Sequence, residues 1–139
     1  MSDHDCIFCK IVDKAIPAKV LYEDDHALAL LDAFPLVEGH TLVIPKAHYE
    51  RLEDMPAQAA AAWFVTVQRT HRALQAGMKA EAMTLGLNNG QVAGQVVPHV
   101  HMHLLPRFAH DGGGTLHSIV KQAQQRDLEA IFEQLKAAF

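Results

Sequence analysis

Apolar and polar positions along this chain follow two periods, one of strands and one of helices. Lys19-Val20-Leu21-Tyr22-Glu23 and Ala27 to Leu31 predict two short strands around the turn-like Glu23-Asp24-Asp25-His26. After a loop over Asp32 to Gly39, His40-Thr41-Leu42-Val43-Ile44-Pro45 predicts a third strand, with Pro45 suited to a strand end because it donates nothing to a ladder. Met83 to Asn88 and Val100 to Leu105 predict a fourth and a fifth strand. The stretch Asn89 to Gln95 between them is too polar and glycine-rich for a regular element. Trp63, Val67, Thr70 and Leu74 advance by 4, 3 and 4 and so share one helical face. Asp54 as a capping carboxylate and Pro56, whose missing N–H costs nothing there, predict the start of that helix; Gly77 predicts its stop. Ala59 to Ala62 favour helix and permit close packing. Near the C-terminus Leu128, Ile131, Phe132, Leu135 and Phe139 predict a closing helix with a buried stripe. The order strands, helix, strands, helix predicts an α+β fold with a mainly antiparallel sheet.

The 139 residues contain no internal repeat, low-complexity tract or linker, so one domain over 1–139 is expected. Hydrophobic residues at 50% and charged ones at 20% are those of a folded globule and exclude disorder. A net charge of −4 provides no broad electrostatic footprint, so neither nucleic acid nor an anionic membrane is expected as a partner. No run of 18 apolar residues predicts a membrane span. Met1-Ser2-Asp3-His4-Asp5 lacks the basic-then-apolar order of a signal peptide, and a cytoplasmic location is expected.

Ten histidines matter because three of them, His99, His101 and His103, fall within five residues. In Pro98-His99-Val100-His101-Met102-His103-Leu104-Leu105 they alternate with apolar side chains, so on a strand the imidazoles share one face and Val100, Met102 and Leu104 the other. At about 3.3 Å rise per residue, successive rings start roughly 6.6 Å apart and the outer pair roughly 13 Å apart. Two such rings can converge on one metal at about 2.0–2.1 Å, but three on a regular strand can hardly do so. The three histidines therefore have different tasks. Imidazole near pH 7 can exchange hydrogen bonds, ligate a metal, or act as nucleophile and acid–base group, and phosphoryl chemistry fits such a row.

The run His99-Val100-His101-Met102-His103-Leu104-Leu105 resembles the signature of the histidine triad family. Cys6-Ile7-Phe8-Cys9, Ile16-Pro17-Ala18-Lys19, Gly39-His40-Thr41-Leu42-Val43-Ile44-Pro45-Lys46, Asn88-Asn89-Gly90, Gly94-Gln95 and Pro106-Arg107 extend the resemblance over nearly the whole chain, toward bacterial members. It implies a nucleotide hydrolase or nucleotidyl transferase. Such an enzyme cleaves at the α-phosphorus of purine nucleoside phosphoramidates or dinucleoside polyphosphates and releases a nucleoside monophosphate. By the same resemblance His101 is the nucleophile, His103 contacts the phosphoryl oxygens, and His40 supports the triad by hydrogen bonding. Asp32 stands where the family holds ribose, as a carboxylate able to accept from both hydroxyls. Asn88 and Gln95 match residues of the phosphate or leaving-group region, and Phe8, Ile11, Ile16 and Leu30 match an apolar base pocket. Val96 departs from the Ser or Thr that many members carry after the glutamine, which removes a hydroxyl contact and leaves substrate preference open. The resemblance also implies a homodimer with the sheets continuous across the interface.

Cys6-x-x-Cys9 is the only cysteine pair. A redox pair, two incidental thiols and half of a zinc sphere are the readings open to it. The resemblance implies structural zinc between Cys6, Cys9, His48 and His99, which would leave His101 for chemistry. His4, His26, His71, His110 and His117 read as surface or cap residues. Gly112-Gly113-Gly114 lacks the Lys-Ser/Thr of a P-loop and reads as a mobile loop. Two other functions stand beside hydrolysis through a nucleotidyl-histidine: a nucleotide-binding module with vestigial turnover, and a zinc-dependent hydrolase on His99 and His101.

Overall fold

The computed structural model describes residues 5–121 and 126–139, and its sheet is built from the apolar runs of the sequence. Strands β1 (Val20–Glu23), β2 (Ala27–Leu31), β3 (Thr41–Pro45), β4 (Ala82–Gly86) and β5 (Met102–Arg107) lie in the order β1-β2-β3-β5-β4, every neighbouring pair antiparallel. With the helices α1 (Ile7–Val12), α2 (Ala57–Met78) and α3 (Leu128–Lys136), this is the expected α+β architecture.

The period of two sets the layers. Ala27 and Ala29 of β2, Val43 of β3 and Leu104 of β5 pack against Trp63, Val67 and Leu74 of α2. The small alanines let α2 lie close, and Trp63 Nε1 donates to the Val43 carbonyl at 3.1 Å. Leu28, Leu30, Leu42 and Ile44 face the other way and cover Phe8, Cys9 and Ile11 of α1. β2 and β3 are thus buried on both faces. Polar side chains of β5 that share the α1 face have only a short helix beside them, and a cleft opens there.

Several boundaries differ from the periodic reading. β5 starts at Met102 because the Val100 amide donates to the Tyr49 carbonyl at 2.7 Å, outside the ladder, so His99 to His101 precede the strand. Asp54 does not cap α2: its carboxylate accepts from the Arg51 amide at 3.0 Å and closes a 3₁₀ turn, while Pro56 stands at the helix N-cap. Gly77 is still helical. The chain stops after Met78 through Lys79 in the left-handed region (φ 53°), with the Ala80 amide bonded back to the Gln75 carbonyl at 3.1 Å. α1 has no counterpart among the predicted elements, since six residues are too few for a helical period to register. The triple glycine is not a loose loop either. Arg107 donates to the Gly114 carbonyl at 2.8 Å, and Asp111, bidentate to Arg107, accepts from the Gly113 amide at 2.8 Å.

The larger correction concerns α3. Its expected buried stripe is exposed: Leu128 is 80%, Phe132 51% and Leu135 55% accessible, and no residue of the helix is buried. Amphipathic spacing specifies a face that gains by being covered, not what covers it. His4 lies outside the described residues; His26, His110 and His117 are exposed and His71 is half-buried, as surface positions should be.

Candidate functional site

β3 and β5 pair with Leu42 opposite His103, so the side chains of His40, Leu42 and His103 fall on one side of the sheet, the side of α1. His101 joins them two residues ahead of His103, its ring centroid 5.0 Å from that of His103. A carbonyl oxygen only accepts, so the 2.7 Å contact between His101 Nδ1 and the His99 carbonyl places the proton on Nδ1. Nε2 of His101 then keeps its lone pair, on a ring that lines the cleft. His40 is 2% exposed. Its Nδ1 accepts from the Leu36 amide at 3.1 Å, and its Nε2 lies 2.9 Å from His103 Nδ1 and 3.4 Å from an Asp32 carboxylate oxygen.

Burial is the dominant influence on all three rings. It lowers the His40 pKa against the opposing pull of Asp32. It lowers that of His101 against the His99 carbonyl and Asp32. His103 is pushed down to about 4 by burial and by the neighbouring His101 and His40. At pH 7 the three imidazoles are neutral, the state a nucleophile and hydrogen-bond donors require. Asp32, His40 and His103 bring ligand-type atoms together, but they do not suit a metal ion. An imidazole bound through Nε2 carries its proton on Nδ1, and on His40 that proton would point at the Leu36 N–H.

A second cluster does suit one. Cys6, Cys9, His48 and His99 place one ligand atom each within 4.8 Å of one another. His99 Nδ1 is 3.4 Å from Cys6 Sγ and 3.6 Å from Cys9 Sγ, and His48 Nδ1 is 3.3 Å from Cys9 Sγ. Sulfur and nitrogen ligands around a tetrahedral zinc stand about 3.6 Å apart, from bond lengths of ~2.3 and ~2.05 Å. His99 Nε2 donates to the Pro45 carbonyl at 2.8 Å, so the unprotonated Nδ1 faces the thiols, as a metal-binding ring should. The set is two soft sulfurs and two imidazoles, the donor chemistry of closed structural zinc sites. The Phe8 ring stands edge-on to rings of both groups, 5.7 Å from His99 and 5.1 Å from His101.

The cleft beside His101 and His103 has a volume of about 1060 Å³, ample for a nucleotide. Phe8, Ile11, Ile16 and Leu30 line it, so the residues of the proposed base pocket are also those of the α1-side core. Asp32 lines it, with one oxygen bonded to the Phe34 amide at 2.8 Å. Asn88 faces the same space. Gln95 does not: its Oε1 accepts from the Gly90 amide at 2.7 Å, and its Nε2 donates to the carbonyls of Glu50 at 2.8 Å and Val97 at 3.1 Å. It shapes the loop that carries Val96, which does line the cleft and is 89% exposed. Sequence reasoning missed three features: the Leu36 amide on His40, the Pro45 carbonyl on His99, and the exposed Phe34 at the cleft mouth. The first two are backbone groups, invisible to residue type. Phe34, the one aromatic residue of the loop from Asp32 to Gly39, was the detectable cue.

Residues 13–110 match the HIT domain family, with Cys6 and Cys9 ahead of the matched segment. An uncharacterized HIT-like protein of Methanocaldococcus jannaschii is 44% identical over 131 residues, 94% of this chain and 98% of that protein. An adenylylsulfatase of Arabidopsis thaliana is 39% identical over 127 residues, 91% of this chain and 64% of that longer protein. A crystal structure of a Zn-bound histidine triad family protein from Mycobacterium smegmatis superposes with a TM-score of 0.75 at 34% identity, over 99% of this chain and 100% of that one.

Proposed function

The chain belongs to the histidine triad family, and on that premise we propose that it hydrolyses purine nucleotides at the α-phosphorus through a nucleotidyl-His101 intermediate. The substrates are nucleoside phosphoramidates, dinucleoside polyphosphates or adenylates of related chemistry. The observation that carries the reading is the bond from His101 Nδ1 to the His99 carbonyl, which leaves Nε2 unprotonated in a nucleotide-sized cleft. The adenylylsulfatase among the relatives supports an adenylate as the substrate.

In the first step Nε2 of His101 gives its lone pair to phosphorus, and the bond to the leaving group breaks with the electron pair going to that group. The ring becomes cationic, and the His99 carbonyl on Nδ1–H stabilises it. His103 donates to the phosphoryl oxygens as charge gathers on them. Water then attacks the same phosphorus and the pair returns to Nε2. Over both steps one water is consumed: its oxygen stays on phosphorus and one proton leaves with the displaced group. Asp32 accepts from the ribose hydroxyls, and Phe8, Ile11, Ile16 and Leu30 hold the base. Zinc on Cys6, Cys9, His48 and His99 acts structurally, tying α1 to the segment before β5. The free edge of β4 pairs with that of a second copy in a homodimer.

Quenching turnover of a labelled adenosine phosphoramidate or diadenosine polyphosphate should trap one label per chain on His101. His101→Asn should retain nucleotide binding and lose turnover by on the order of 10³-fold or more. Full activity in that variant overturns the proposal. Binding without turnover in the native protein selects the nucleotide-binding module instead.

A further inference from the structure

The polarity of the histidine chain can be read outward from its buried end. The Leu36 amide can only donate, so His40 Nδ1, 3.1 Å away, holds a lone pair and no proton. His40 is then neutral with its one proton on Nε2. That nitrogen is 2.9 Å from His103 Nδ1 and farther, 3.4 Å, from Asp32, so the proton is directed to His103. His103 Nδ1 is consequently an acceptor, and the proton of His103 sits on Nε2, on a ring that lines the cleft. Neither the opposite tautomer of His103 nor its doubly protonated form is compatible, because each reverses His40 and sets an Nδ1–H against the Leu36 N–H.

We propose that the backbone N–H of Leu36 is a positioning group: it fixes the direction of the His40–His103 chain, so that His103 offers a donor, not a lone pair, to a phosphoryl oxygen. Leu36 acts through its amide; its side chain is 79% exposed. The amide belongs to the loop between β2 and β3, which also carries Asp32 and returns through Gly39 at φ 83°, where a Cβ would stand 3.0 Å from Met78 Cγ and 3.2 Å from Pro106 Cγ. The ribose carboxylate and the amide that sets the tautomer thus stand on one loop, so a substitution that displaces both should weaken sugar binding and His103 at once. The inference rests on the α-phosphorus reading for its purpose, but not for its geometry.

The test is nitrogen NMR on the full-length, ¹⁵N-labelled native protein, without nucleotide. Expected are a scalar coupling across the hydrogen bond between the Leu36 nitrogen and His40 Nδ1, a second between His40 Nε2 and His103 Nδ1, and His103 protonated only on Nε2. A His40 or His103 protonated on Nδ1, or the absence of the Leu36 coupling, overturns the inference even in an active enzyme. The expected couplings in a protein without turnover uphold it and overturn the catalytic reading instead. Leu36→Pro, which deletes the donor, should mix the tautomers of His40 and lower turnover on the order of a hundredfold, the scale of losing one oriented donor at a developing oxyanion. Unmixed tautomers in a folded Leu36→Pro protein also refute the inference.

Discussion

His103 makes stability depend on pH in a way that can be isolated. Its folded pKa is about 4 where an ordinary histidine has 6.5, because burial and the adjacent His101 and His40 oppose its protonation. Above pH 6.5 the ring is neutral in both folded and unfolded chains and contributes no difference. As the pH falls from 6.5 toward 4 the unfolded chain takes up a proton that the folded chain refuses, so the fold loses stability through that window. A displacement of this size corresponds to about 3.4 kcal/mol at full strength. The ring is only half-buried, and solvent screening reduces the expected loss to about 2 kcal/mol. The perturbation is His103→Asn, whose amide oxygen keeps an acceptor near the place of Nδ1 for His40. Urea unfolding at a series of pH values between 7.5 and 4 would give the stability of each protein as a function of pH. Acid also affects metal ligation, which the two proteins share and which cancels in their difference. His101 and His40 are coupled to His103, so the difference reports the protonation of the row that His103 completes. The native protein should lose about 2 kcal/mol more than the variant across the window. Parallel curves, or a steeper loss in the variant, would refute the burial argument.

Two further outcomes follow from the metal cluster and the open sheet edge. The purified protein should contain close to one zinc per chain by elemental analysis, and Cys9→Ser should lose it, with the thermal midpoint falling on the order of 10 °C; a metal-free native protein of unchanged midpoint would refute the zinc assignment. Sedimentation at micromolar concentration should yield a species of twice 15.3 kDa, whereas a stable monomer would refute strand pairing through β4.

The lines of the sheet and of α2 were legible along the chain because burial imposes periods of two and of 3.6 on residue type. Trp63, Val67, Thr70 and Leu74 are buried on one face of α2 as their spacing requires, and Val100 and Leu104 go to the core while His101 and His103 line the cleft. α1 escaped this logic because six residues hold less than two turns. α3 was misread because its partner surface is not encoded in its own pattern. Gln95 matches a family position in the phosphate or leaving-group region, yet three backbone groups already occupy its amide.

By itself, then, the sequence determined which side chains share a strand face, which histidines are too far apart on a strand to serve one metal, and which chemistry the donor types allow. Only the tertiary structure decided where each proton sits. The carbonyls of His99 and Pro45 are the same in every residue and the amide of Leu36 in every residue but proline, and nothing in the order of side chains says which ring nitrogen they will meet. Folding brings Pro45 to His99 across 54 positions and His40 to His103 across 63. Those long-range contacts turn interchangeable imidazoles into a metal ligand, a lone pair and a directed donor, because a ring nitrogen beside a fixed donor or acceptor is left a single protonation state.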